Sequence, residues 1–322
     1  MPDIAIIGVT TGCNSRCSYC DVWSQQIGTD VPIEFLINAV KAVGRLGVKL
    51  LALTGGEPLL VNNLEVLIEK AKVSIPLVTL STNGILLSRT RVASLACVGL
   101  DALIISLDTL NADNYMRLRG VSIEHVLHGI EEAIIEMGCI RLVISSVVSL
   151  HNLLDLPQLA RFCMENNIIL GLNALHNKNS QPTPEEQEMP ITIHEVHRIM
   201  EEIRAMTWIG LDIANTSAHL DGLEMYLTTG SLPIGNTCQN VTGSITISCD
   251  GFVRICPYMK PIGCLLDTDI SDLWNSDAKR MMMDQMQRLD CPGCWHSYRV
   301  EKFESARIEK LLSKSRGTPI GG

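Results

Sequence analysis

From Ile4 to Ala174 the chain alternates short β-branched apolar runs with longer segments of helical period, and no other feature constrains its fold so tightly. A β-run, a helix and another β-run in succession is the pattern of βαβ units around a parallel sheet. Strands are predicted at Ile4 to Val9, Val48 to Leu53, Leu77 to Leu80, Ala102 to Ser106, Leu142 to Val148 and Ile168 to Leu172. Pro32 opens one helix, Gly99 closes another, and Thr192 to Met206 has the period of a third. Six strands with crossovers make a barrel or an open wound sheet, and either puts functional loops at the C-terminal ends of the strands. Past Thr216 glycine-punctuated short segments take over. There Ser244 to Ser248 and Phe252 to Cys256 flank Asp250-Gly251, a hairpin turn signal.

Composition removes several classes of function. The 322 residues are 46% hydrophobic and 19% charged, too apolar for a disordered chain. No run approaches the ~20 apolar residues of a membrane span, and the N-terminus lacks a basic region and cleavage site, so a cytoplasmic protein is expected. A net charge of −9 argues against a nucleic-acid partner and for a small-molecule substrate. Twelve cysteines without an export signal point to metal or catalysis rather than disulfides.

Cys13, Cys17 and Cys20 put three soft ligands on one loop just after the first strand. Thiolates select zinc, copper(I) or iron–sulfur clusters, and three of them leave one metal position open. This CxxxCxxC loop, with Tyr19 at its aromatic position, resembles that of the radical S-adenosylmethionine (SAM) superfamily. The likeness continues in order through Thr54-Gly55-Gly56-Glu57-Pro58, Ser81-Thr82-Asn83-Gly84 and Ser106-Leu107-Asp108, after the second, third and fourth strands. The resemblance spans Ile4 to Leu175 and implies a partial (β/α)6 barrel. It also implies a 4Fe-4S cluster on Cys13, Cys17 and Cys20, with SAM on the fourth iron. Tyr19, Gly55, Gly56, Glu57, Pro58, Ser81, Asn83, Ser106 and Asp108 would line SAM, Glu57 offering an acceptor to its ammonium. No segment matches the family's fifth-strand adenine motif, and Ser145, Ser146 and Asn152 are candidates for that role.

Six cysteines fall between Cys238 and Cys294. Cys238 is followed after twelve residues by Gly251 and after four more by Cys256, with Cys291 and Cys294 closing the set. This resembles the twitch subgroup, in which such cysteines hold one auxiliary 4Fe-4S cluster, and gives a total of two. A four-cysteine zinc ribbon is the alternative. The chain then divides into a radical SAM partial barrel (1–175), a lid or linker and helix (176–235), a small α+β twitch domain (236–300) and a C-terminal helix and tail (301–322).

Full thiolate ligation leaves no iron for substrate, so the auxiliary cluster suits electron transfer or structure. Cys249, just before the Asp250-Gly251 turn, could return a hydrogen atom to a carbon radical. On that basis the chain resembles SAM-dependent epimerases of aminoglycosides, and an epimerase of an amino sugar is expected, with Cys249 catalytic and a flavodoxin- or ferredoxin-type reductant. A dehydrogenase is one alternative and a peptide maturase another, the latter disfavoured because the cluster loop begins at residue 13. GTP 3′,8-cyclisation is suggested by SLDTLN (106–111) and Gly321-Gly322. It is set aside because that family's second site has three cysteines and neighbouring arginines. An electron carrier or zinc module would have no use for the SAM turns. Cys97, Cys139 and Cys163 are expected in the core, Cys264 packed or a substitute ligand, and His194, His197, Asp212, Asp221 and Glu224 on the surface.

Overall fold

The structure is a computed structural model and describes residues 1–25, 31–136, 138–175, 191–230, 238, 243–288, 290, 291, 294 and 295. Six parallel strands run in sequence order: β1 (Ile4–Gly8), β2 (Leu50–Thr54), β3 (Leu77–Thr82), β4 (Ala102–Ser106), β5 (Arg141–Val148) and β6 (Ile169–Ala174). Each sits within two residues of its predicted place. Their middles are buried, as in Leu77–Thr82, because helices cover a parallel sheet. Those helices are α1 (Ile33–Arg45), α2 (Leu64–Lys72), α3 (Arg89–Cys97), α4 (Ala112–Arg119), α5 (Ile123–Glu136) and α6 (Leu156–Glu165). In α1, Leu36, Ala39, Val40 and Val43 recur at helical spacing and bury one stripe. The result is the partial (β/α)6 barrel expected.

Two features were not foreseen. After α7 (Ile193–Trp208), opened by a Thr192/Glu195 capping box, residues 211–215 run along the outer edge of β6. Leu170 N–H donates to Asp212 O and Ala214 N–H to Leu170 O, while the Asn215 amide clamps the backbone of Leu172. Part of the expected linker thus covers a sheet edge that would otherwise expose unpaired groups. Residues 176–190 and 301–322, the rest of the lid and the tail, lie outside the described residues. Helix α8 (Ser217–Thr229) follows.

The second feature is the seat of the C-terminal hairpin. Its strands β7 (Ser244–Ile247), β8 (Phe252–Arg254) and β9 (Gly263–Cys264) form one continuous sheet with the barrel. β7 pairs in parallel with β1, Ile4 opposite Ser244 and Ile7 opposite Ile247, before the chain turns at Asp250-Gly251. Helices α9 (Ile270–Asn275) and α10 (Asp277–Gln287) close this part. Met281 is exposed, while Met282 and Met283 pack on the core. No described helix is long and apolar enough to cross a membrane.

Candidate cluster and SAM site

The cysteine loop leaves β1 at the C-terminal end of the sheet, where it lies directly on the Gly55-Gly56-Glu57-Pro58 turn that follows β2. Gly56 N–H donates to Thr10 O and Glu57 N–H to Gly12 O, both at 2.7 Å. A Cβ on Gly55, whose φ is +134°, would stand 2.4 Å from Thr10 O, and one on Gly56 would stand 2.1 Å from Gly12 O. The paired glycines are therefore required for the close approach of the two loops.

Donors are aimed at the sulfurs. Ser15 N–H lies 3.4 Å and Asn83 Nδ2 3.9 Å from Cys13 Sγ. Cys17, the most buried of the three, has Ser15 Oγ at 3.6 Å and Arg119 Nη1 at 3.9 Å from its sulfur. Cys20 receives backbone N–H groups of Val22 and Trp23. Burial pushes the Cys13 and Cys20 thiols up, and the neighbouring thiols add to the rise. A cationic metal cluster would relieve that repulsion.

The residues fit an iron–sulfur cluster. Cys13, Cys17 and Cys20 supply three thiols on one loop, with N–H and O–H groups of Ser15, Asn83 and Arg119 beside two of the sulfurs, the donor set that thiolate-bound iron–sulfur clusters take. The Tyr115 hydroxyl, within the electrostatic reach of Cys17, is buried with no hydrogen-bond partner among the described residues, a donor suited to a bound group.

Two carboxylates of the motif turns are engaged by protein donors. Glu57 is fully buried, its Oε1 accepting from Leu59 N (3.0 Å) and Thr82 Oγ1 (2.7 Å) and its Oε2 from Asn83 N (2.7 Å). Burial outweighs these donors and pushes its pKa up. It ties the turns after β2 and β3 together. Asp108 is likewise spent: Arg119 forks onto it at 2.6 and 2.8 Å, Tyr19 Oη donates at 2.6 Å and Val147 N at 2.8 Å. Ser81, Asn83 and Ser106 lie at or just past the C-terminal ends of β3 and β4, and Pro58 starts a buried helical turn. Ser146 and Asn152 bond Asp108 O, and Ser145 accepts from Asn173, so all three candidates for an adenine support brace the β5 end.

The second cysteine set also gathers. Cys256, pushed up to about 11 mainly by burial, feels Cys238 and Cys291. Tyr258, pushed up to about 12 by burial, feels Cys294 and Cys256. Trp295, next to Cys294, packs against Gly222 and donates from Nε1 to His219 O at 2.9 Å. Cys264 stays within the hairpin, its thiol donating toward Asp250 O. Cys249 is half-buried beside Gly8 at the end of β1.

Other expectations are sorted by burial. Cys163 is core, but Cys97, the last residue of α3, and Cys139, in the turn between α5 and β5, are exposed. Asp221 and Glu224 pair with Arg204, Glu224 also with His197, and Asp212 with Arg141. Sequence reasoning missed Arg119, Tyr115 and Thr82, since what marks them is a tertiary partner rather than a motif.

Residues 7–163 match the Radical SAM superfamily and residues 238–295 match SPASM, an iron–sulfur cluster-binding domain. A probable GTP 3′,8-cyclase of Methanococcus maripaludis is 31% identical, covering 84% of this chain and 87% of the relative. A second, from Methanococcus aeolicus, is 30% identical over 78% of this chain and 83% of the relative. Native anSMEcpe with bound AdoMet and a peptide superposes with a TM-score of 0.70 over 97% of this chain and 96% of that one, at 16% identity, a likeness of fold. The relatives' names overturn the epimerase expectation, its dehydrogenase and maturase alternatives, and with them the hydrogen-donor role of Cys249. SAM and a 4Fe-4S cluster are the cofactors of the first domain, and a further iron–sulfur cluster that of the second. A (β/α)6 barrel with a three-thiol loop, matched by the family over residues 7–163 and by a relative over 84% of the chain, makes this chain a member of the radical SAM superfamily.

Proposed function

We propose that the protein is a radical SAM enzyme acting on a purine nucleoside triphosphate, joining ribose C3′ to base C8 of GTP. The observation that carries this reading is that a relative named for the reaction is 31% identical over 84% of the chain. When bound, SAM and the two clusters supply a 5′-deoxyadenosyl radical and the electrons consumed. Cys13, Cys17 and Cys20 hold the first cluster; the Gly55–Pro58 turn, Ser81, Asn83 and Ser106 line the SAM side. Ser15, Asn83 and Arg119 fix the sulfurs, and the stacked loops exclude water from the reacting carbon.

The atoms balance as follows: C3′ loses a hydrogen atom, the C3′–C8 bond forms, and one electron and one proton complete a product isomeric with GTP. Cys238, Cys256, Cys291 and Cys294 hold the second cluster, of 4Fe-4S type. Four thiolates leave it no open iron, which suits electron delivery. The set differs from the three-cysteine second site of GTP cyclases, so protein groups rather than an open iron must hold the base. A flavodoxin- or ferredoxin-type reductant fits, and a chain with twelve cysteines suits a reducing, cytoplasmic setting.

The test is anaerobic turnover of reconstituted protein with SAM, dithionite and GTP deuterated at C3′. Deuterium in 5′-deoxyadenosine and a product one mass unit lighter than the labelled GTP are expected. Deuterium-free 5′-deoxyadenosine with GTP recovered intact would remove GTP as the substrate.

A further inference from the structure

The C-terminal end of α4 is bound to the cysteine loop by more contacts than packing requires. Arg119 O accepts Ser15 Oγ at 2.8 Å and Arg16 N–H at 3.1 Å, and Leu118 O accepts Ser18 N–H at 2.9 Å. Gly120, at φ +68°, lies so close that a Cβ there would stand 2.9 Å from Arg16 O. The Arg119 side chain is 8% exposed and that of Asp108 not at all. Nε and Nη2 fork onto the Asp108 carboxylate, which leaves Nη1 facing Cys17 Sγ at 3.9 Å. The Tyr19 ring stacks on the guanidinium at 5.5 Å, and the Tyr19 hydroxyl pins Asp108 from the other side. Only a planar fork can hold a carboxylate with two nitrogens and present a third to a sulfur; a lysine ammonium cannot.

We propose that Arg119 sets the reduction potential of the cluster held by Cys13, Cys17 and Cys20, with Asp108 as the counterweight. The inference rests on the cluster reading above. Reduction adds one negative charge to the cluster. A buried cation with an N–H aimed at a ligand sulfur stabilises that charge, and the carboxylate behind the cation offsets part of the effect. Arg119 is thus a positioning residue whose charge, as well as its shape, is used.

The opposite charges give opposite signs, which a merely structural role would not. Full-length Arg119→Gln, Asp108→Asn, Arg119→Lys and the double variant Asp108→Asn/Arg119→Gln are reconstituted anaerobically. Iron and sulfide are measured, and the potential is titrated by electron paramagnetic resonance. The barrel cluster is recognised by the change SAM makes to its signal. Asp108→Asn should raise the potential, whereas Arg119→Gln and the double variant should lower it. The expected change is about tenfold in the reduced-to-oxidised ratio at fixed applied potential, equivalent to about 59 mV for one electron. Arg119→Lys should fall between. The double variant buries no unpaired charge, so it answers the question where a single variant fails to fold. A wild-type potential in the double variant at full iron overturns the proposal, as do shifts of one sign in both single variants. Loss of barrel iron from the double variant would make the pair a scaffold only and overturn it too. A wild-type chain with no SAM-responsive 4Fe-4S signal would instead remove the cluster reading on which the proposal stands.

Discussion

Glu57 is a motif residue with a structural task of its own. Three protein donors converge on a carboxylate that solvent does not reach. In Glu57→Gln one acceptor oxygen becomes an NH2 group, and whichever way the amide turns, a donor faces a donor. An unsatisfied buried N–H costs roughly 1–3 kcal/mol, and the urea midpoint of the variant should fall accordingly. SAM affinity, read by equilibrium binding to the folded variant, should change less than the stability does. Unchanged stability with strongly weakened SAM binding would restore the carboxylate to the ammonium-binding role. The same logic holds for Asp108, whose four donors leave it no vacancy for a ribose hydroxyl.

Among the elements, helix α8 carries a fine tolerance. A Cβ on Gly222 would stand 1.7 Å from the Trp295 ring, so Gly222→Ala must expel the indole from its pocket. Trp295 follows Cys294 directly and is anchored by its bond to His219 O. The variant should therefore lose about 1–3 kcal/mol of stability, with red-shifted tryptophan emission and weaker retention of C-terminal iron. Wild-type emission and iron content would show that the Trp295 seat does not hold the cysteine pair. Elements of this kind divide into those readable from the chain and those that are not. The six barrel strands, the Pro32 and Thr192 helix starts and the Asp250-Gly251 hairpin were legible because period and turn chemistry are local. The parallel docking of β7 on β1, the cover on β6 and the Arg119–Cys17 contact, 102 residues apart, depend on partners far along the chain. Motif order placed the cysteine loop and its turns correctly. Only the folded hydrogen bonds show that Glu57 and Asp108 are occupied.

At the scale of the whole molecule, β1 joins the two halves of the chemistry. Its C-terminal end feeds the Cys13–Cys20 loop, and its free edge carries β7, which leads into Cys249 and Cys256. One strand pair thus ties the hairpin that leads to Cys249 and Cys256 to the strand that feeds the barrel's cysteine loop. Cys291→Ser/Cys294→Ser separates the two sites. With two clusters the wild-type chain should hold about eight irons, and the variant about four. The variant should still bind SAM at the barrel, with its spectroscopic change intact, and still form 5′-deoxyadenosine. It should yield no cyclised nucleotide, because the radical formed by C3′–C8 bond formation would have no electron to close it. Zinc in place of iron at the second set would leave the visible absorbance of the variant equal to that of wild type. Cyclised product from a chain holding only the barrel iron would mean that the second set is structural, and that the closing electron comes directly from the external reductant.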